Sequence, residues 1–468
     1  MKRQDKKSLI NSLGWCFIAL VPIFSYQSFN GVLDEKLSLF IALMMTASLM
    51  WSLNWFVEFV PALFVLCGVA VFDLAPSKVI LSGYASEAFM MIIGLMIITT
   101  IITNSGIILR VIFYILSMTR HNPQMYDKCC FILFTVATPL LPANITRMEL
   151  AANLIKKLSM FWGLPKMRSQ HNRLVISSFQ GSSILGTCFI SASLMNFMVN
   201  QFITVQEEIR FGIEGWLKAS FIALIVLIIG YIIVHKFIFR NQFLIDTHPE
   251  VIQEELEAMG TLSLGEIFSL GSIAVLVMGM LTYPIHRISP TFIALTLTCI
   301  IMILEVVDAK TIMRKINWTI IFLIGSAVSI SKLIIYFEID KFVSQPIALF
   351  LLDISHSKYI LYIFVIITTF IVRLFLPITA TVSMLLPILL PLHIPFQVSA
   401  WSIAFVILTI TDAWFFPYQS YIYTFYKMQL EQDEIIYDEK IFLKFQRCIN
   451  IFRVLAVLAS VFYWDYVT

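Results

Sequence analysis

From Leu174 to Gln206 the chain runs for 33 residues without a charged side chain. Stretches of that kind recur along its length. A helix crossing the ~30 Å hydrocarbon core of a bilayer needs about 20 mostly apolar residues. With 59% hydrophobic and 13% charged residues and a mean hydropathy of +0.88, the chain is excluded from the soluble domains and reads as an all-α polytopic membrane protein. Windows of spanning length fall near 10–28, 37–54, 55–74, 86–117, 174–199, 217–238, 265–284, 290–307, 317–336, 399–424 and 449–466. That predicts about eleven transmembrane helices.

Two further apolar segments do not fit as single spans. Residues 127–162 are interrupted at Leu141-Pro142-Ala143-Asn144-Ile145-Thr146-Arg147, and residues 356–393 at Phe375-Leu376-Pro377-Ile378-Thr379-Ala380-Thr381. Arms of about 14 residues reach only ~21 Å at ~1.5 Å per residue, so each segment is expected to enter and leave on one side as a re-entrant hairpin. Backbone groups freed in lipid cost several kcal/mol each, so a break must lie in protein or beside a water-filled cavity. Paired breaks in corresponding halves point to a transporter's binding site.

Orientation follows from the basic residues. An N-terminus inside the cell places most of the 32 Lys and Arg residues, Arg110, Arg173 and Arg453 among them, in cytoplasmic segments. The expected topology is N-terminus cytoplasmic and C-terminus outside, in the cytoplasmic (inner) membrane. The first hairpin then opens to the cytoplasm and the second to the outer side. The basic stretch Met1 to Lys7 is not followed by a small-residue cleavage site, so no cleaved signal is expected. The seven cysteines read as small hydrophobes, without His or Cys partners at metal-ligand spacing.

The halves are faintly self-similar. Ile92-Ile93-Gly94-Leu95 is echoed by Phe322-Leu323-Ile324-Gly325, and Gly181-Ser182-Ser183 by the break around Phe416-Pro417-Tyr418-Gln419-Ser420. The expected organisation is an N-terminal segment and first span (1–36), a first repeat (37–240), a linker (241–264) and a second repeat (265–468). Five spans plus a hairpin, repeated in opposite orientation, make a 5+5 inverted repeat of the kind used for alternating access.

Helix breaks expose N-termini and free N–H groups suited to anions. Asn144 and Thr146 either cap the second arm of the first hairpin or contact a ligand. Arg147 either attracts an anion or pairs with a carboxylate. Ser182 and Ser183 read as an unwound turn or as small residues between helices. Thr379 and Thr381 offer hydroxyls that could equally bond back into their own helix. Gln419 and Ser420, after the helix-breaking Pro417, can supply donor and acceptor to an oxyanion. Asp412 suits a coupling cation or proton, or a structural partner for Lys332 or Arg373. Glu58 is either a proton carrier or half of an ion pair.

At these residues the chain resembles the divalent-anion:sodium symporter (DASS) family, within the wider ion-transporter superfamily that includes the arsenite pumps. Leu81-Ser82-Gly83-Tyr84-Ala85-Ser86 is similar to the segment leading into the family's fourth span, and Gly106-Ile107-Ile108-Leu109-Arg110 to the end of that span. Pro142-Ala143-Asn144-Ile145-Thr146-Arg147 resembles the hairpin tip of the dicarboxylate branch, and Ile316-Asn317-Trp318 is also similar. The family's Ser-Asn-Thr signature stands here as Ala143-Asn144-Ile145 and Pro377-Ile378-Thr379. The resemblance implies a homodimer that carries its substrate by elevator motion. It places substrate at Asn144, Thr146, Ser182, Ser183, Thr379, Thr381, Gln419 and Ser420, with Arg147 beside them, and a coupling sodium at Asn144, Gly181 and Thr379.

The expected function is secondary active transport of a small anion (di- or tricarboxylate, or sulfate-like), with sodium as the coupling ion and no other cofactor. An exchanger without sodium coupling, or a transporter fold acting as sensor or scaffold, stays open. Paired carboxylates, a His cluster and a nucleophile arrangement are all missing, so an enzyme is not expected. The partners are the anion, the lipid bilayer and a second copy, with no nucleic acid.

Overall fold

The computed structural model describes residues 20–467 apart from 24, 28, 30–32, 54–55, 118–124, 142–143, 162–167, 241–249 and 307. The predicted first span, 10–28, lies largely outside these. The helices used below are α1 (Glu35–Leu53), α2 (Phe59–Val71), α3 (Glu87–Ser105), α4 (Ile107–Ser117), α5 (Tyr126–Ala137), α6 (Asn144–Phe161), α7 (Arg168–Ser183) and α8 (Leu194–Val199). They continue as α9 (Ile213–Ile238), α10 (Glu250–Ala258), α11 (Leu264–Leu281), α12 (Pro290–Ile303), α13 (Trp318–Tyr336), α14 (Ile339–Ile354), α15 (Lys358–Phe375), α16 (Ile378–Leu389), α17 (Ala400–Thr411), α18 (Tyr421–Gln432) and α19 (Glu439–Val467).

The described residues contain no β-strand, and eight helices among them are long and apolar enough to cross a membrane. Three predicted spans are helices of 12 to 14 residues instead: α2, α12 and α17. The expected span 86–117 is two helices, because Gly106 takes a left-handed φ of 81° between α3 and α4, a conformation that glycine adopts at little cost. The 16-residue α14 fills a stretch that hydropathy left as loop. The first arm of the second hairpin is also longer than expected. The 18 residues of α15 reach ~27 Å at ~1.5 Å per residue, so length alone does not mark this segment as re-entrant.

The chain forms two compact units, each drawing on both halves of the sequence. One comprises Met1–Phe89 and Asn317–Gln397. In it α13 packs on α2 and α16, and α1 on α2, around a core that includes Phe40, Ala47, Val65, Val69, Ile330 and Leu333. The segment before α3 lies across α13: the Gly83 amide donates to Ser329 Oγ at 2.9 Å and the Tyr84 hydroxyl meets Ser326 Oγ at 2.7 Å. A side chain at Gly83 would strike the α13 backbone.

The second unit comprises Met90–Ile316 and Val398–Thr468. Its backbone is the pairing of α9 with α19. In α9, Trp216, Ala219, Ser220, Ala223, Leu227, Gly230 and Tyr231 form a buried stripe at helical spacing. Gly230 leaves room for the Phe452 ring of α19. The opposite face shows Phe221, Ile229, Ile233 and Phe237. The small Ala219, Ser220, Ala223 and Gly230 within the inward stripe, with large apolar residues outward, suit a helix packed in lipid. Arg110 of α4 fastens the linker: it donates to Glu266 at 2.6 and 3.0 Å and to the carbonyls of Met259, Gly260 and Thr261.

Candidate functional site

Three interruptions of helix belong to the second unit. The first hairpin breaks between α5 and α6; α7 stops at Ser183 and α8 starts only at Leu194; α17 stops at Thr411 and α18 starts at Tyr421. Both arms of the hairpin pack on α7, α6 packs on α18, and α8 packs on α17. The expected spans 174–199 and 399–424 are therefore broken helices.

Each break frees carbonyl groups, and side chains take them up. Arg147, fully buried, does most of this. Its Nε donates to Ser182 O at 2.8 Å and its Nη1 to Ala192 O at 2.8 Å and Thr138 O at 3.3 Å. Nη1 also bonds Leu141 O, and Nη2 bonds Asn144 Oδ1. One guanidinium thus ties the hairpin tip to both sides of the gap between α7 and α8. The gap itself is closed by Asn196, whose Nδ2 donates to Gly186 O and Phe189 O at 2.9 and 2.8 Å, by Trp216 to Thr187 O, and by Ser220 to Cys188 O.

The hairpin is also held at its base. Arg173 of α7 and His235 of α9 both reach Asp127 Oδ2, at 2.8 and 2.7 Å. Arg173, counted by its charge among cytoplasmic residues, is buried. At Gly181 the helix α7 approaches the hairpin so closely that a Cβ would lie 3.0 Å from Phe131 Cα. Thr138 Oγ1 donates to Gly181 O at 3.1 Å across that contact.

The sequence-predicted residues divide into groups. Asn144 begins α6 and its oxygen accepts from Arg147, while Thr146 is half-buried one position before Arg147. Ser182 and Ser183 donate back to Ser178 O and Phe179 O, both at 2.8 Å, so these hydroxyls serve the end of α7. Gln419 Oε1 accepts from the Phe415 and Phe416 amides at 2.8 and 3.0 Å and shapes the third break. Ser420 caps α18 by accepting from the Tyr423 amide. Asp412 sits where α17 ends, 3.7 Å from Arg453 Nη1. Its charge also acts on Arg147. The first and third breaks are thus electrostatic neighbours.

Thr379 and Thr381 belong to the other unit, at the turn from α15 into α16. Both are buried, and Thr381 Oγ1 donates to Pro377 O at 2.9 Å. Arg373 Nη1 donates to Leu376 O at 2.9 Å, and its charge acts on Glu58. The two hairpins therefore share a device: a buried arginine binds the carbonyl just before the proline, with an acidic residue near it.

The sequence reading missed the polar face of α19. Gln180 Nε2 of α7 donates to Gln446 Oε1 at 2.9 Å, Gln446 Nε2 to Asn450 Oδ1 at 3.1 Å, and Asn450 Nδ2 to Trp414 O at 2.7 Å. This buried relay joins the second break to the third. Arg453 follows on the same face, 2% exposed. The spacing of Gln446, Asn450 and Arg453 at i, i+4 and i+7 was the available signal.

No curated protein matches the chain. The family described as sodium:sulfate symporter transmembrane region matches it over residues 8–420. With broken helices, buried guanidinium groups and this match over most of its length, the chain belongs to the sodium:sulfate symporter family of membrane anion transporters.

Proposed function

We propose that the protein is a secondary transporter that moves a small divalent oxyanion, sulfate-like or a dicarboxylate, across the cytoplasmic membrane with sodium. The observation that supports this reading most is the gathering of three helix breaks in one unit, with the buried Arg147 bonded across two of them and electrostatically coupled to the third. The N-termini of α6 and α18 offer amide groups and positive dipole ends to an anion. Asn144, Thr146, Gln419 and Ser420 are the polar side chains at those starts. Arg147, bonded to four backbone carbonyls and the Asn144 side chain, shapes the site and supplies positive charge.

Sodium is a hard cation that takes oxygen donors. Asn144 Oδ1 and Gly181 O each carry one hydrogen bond, from Arg147 and Thr138, which leaves each a second lone pair. Thr379 would serve a corresponding site at the second hairpin. Inverted repeats, elevator motion, a homodimer, and a cytoplasmic N-terminus with an outward C-terminus complete the proposal.

Uptake of labelled sulfate, succinate and citrate into proteoliposomes tests it. Accumulation of at least one anion, driven by an inward sodium gradient, is expected. Exchange that ignores sodium would replace symport by antiport. Absence of any uptake under either condition would contradict the reading and favour a sensor or scaffold.

A further inference from the structure

Arg453 lies at the middle of the 29-residue α19 and is 2% exposed. Its Nε and Nη1 are buried without a hydrogen-bond partner. Its carboxylate neighbour, Asp412, stops 3.7 Å from Nη1, beyond hydrogen-bond reach. An ionised side chain at membrane depth is costly unless paired, so unused guanidinium donors there ask for a partner. Arg147, the other buried cation of this cluster, already gives its Nε and Nη1 donors to backbone carbonyls and an Nη2 donor to Asn144 Oδ1.

The surroundings say what kind of partner fits. The carboxylate whose charge acts on both Arg453 and Arg147 is Asp412. Two guanidinium groups against one carboxylate leave an excess positive charge. Asp412 is partly open, with its side chain 23% exposed, and its Oδ2 lies 3.8 Å from where a Cβ on Gly186 would stand. Arg453 therefore faces the unwound stretches after α7 and after α17, with the relay of Gln446 and Asn450 fixing their positions on the preceding turns.

We propose that Arg453 is an anion-recognising residue of the transport site: its guanidinium receives an oxygen of the oxyanion, and Asp412 is the internal carboxylate that the anion displaces. This rests on the anion-transport reading above and adds a residue that the family match, ending at 420, does not reach. A guanidinium gives charge-assisted bonds to sulfate or carboxylate oxygens, and an internal competitor keeps the empty site from holding an unpaired charge.

The test is thermal stabilisation of the purified protein in sodium-containing detergent solution, titrated with sulfate and with succinate against chloride of equal ionic strength. A ligand that binds the folded state raises its melting temperature. Wild type is expected to shift with one of the two anions. Arg453→Gln is expected to weaken that anion at least ~30-fold, as for a charged group deprived of its buried partner. Asp412→Asn is expected to enlarge the shift, since the competing carboxylate is gone. A purely structural ion pair would lower stability in both variants and leave anion affinity alone. Should Arg453→Gln not fold, Arg453→Lys serves instead, keeping the charge but not the planar fork, with at least a ~10-fold loss expected. Wild-type affinity in the folded arginine variant would overturn the assignment while leaving the transport reading intact. A wild type that responds to neither anion, and transports neither, would remove both.

Discussion

Arg147→Ala is expected to prevent recovery of folded protein. Four carbonyls and the Asn144 side chain accept from this guanidinium. A buried acceptor left without its donor costs roughly 1–3 kcal/mol, and more in hydrocarbon. Four such losses together rival the ~5–15 kcal/mol that holds a typical protein folded. Arg147→Lys keeps a charge but replaces a planar fork with a point donor that cannot reach all the carbonyls. It should yield protein that melts well below wild type and transports poorly. Size-exclusion profiles and melting curves in detergent check both. If Arg147 served only to attract the anion, Arg147→Lys would melt like wild type and lose affinity alone. A monodisperse Arg147→Ala protein with wild-type melting would refute the clamp.

Gly181→Val is the second large effect. The close approach of α7 to the Phe131 backbone leaves no room for a side chain, and backbone cannot swing aside as a flexible side chain can. The hairpin arm α5 has to retreat, which strains the Thr138 bond to Gly181 O and the Asp127–Arg173 pair at once. Overpacking of this kind costs about 1–3 kcal/mol or more. Because the displaced arm carries the first break, transport should fall by at least ~10-fold, a loss of about 1.4 kcal/mol in rate terms. Ser182→Ala, one residue on, removes only a hydroxyl that bonds back into its own helix. Its stability should stay within about 0.5 kcal/mol of wild type. Equal melting and uptake for the glycine and serine variants would show that the contact does not position the hairpin.

The breaks were legible in the sequence because proline and polar residues stand out inside apolar runs; Pro142, Pro377 and Pro417 announce themselves. What fills the breaks was harder to see. Arg147 looked like a ligand or half of an ion pair, and nothing local says that its partners are carbonyls of residues 138, 141, 182 and 192. Ser182 and Ser183 illustrate the same limit: a hydroxyl at a helix end can bond outward or backward, and the choice is made by packing. Arg453 was misplaced for a different reason. A rule that assigns Lys and Arg to cytoplasmic loops treats every charge as solvated, yet Arg173 and Arg453 are buried.

Hydropathy also erred where an amphipathic helix carries charges on its exposed face. The C-terminal helix begins at Glu439 instead of near 449, because Glu439, Lys440, Lys444 and Arg447 lower the average over its first turns, although Phe442, Phe445 and Gln446 there face protein. Gly106 split one expected span into two helices through a single left-handed residue, which no average registers. The first arm of the second hairpin, α15, exceeded the length assigned to it, while Pro387, which reads as a stop, is accommodated inside α16.

Cryo-electron microscopy of the protein in nanodiscs, with sodium and either sulfate or its heavier analogue selenate, tests the central claim most directly. Density for the anion is expected within the second unit, among the start of α6, the stretch after Ser183 and the stretch from Asp412 to Ser420, in contact with Arg453. It should be absent from an anion-free sample prepared in parallel. An anion bound elsewhere, with these three breaks unchanged and unoccupied at saturating concentration, would contradict the account.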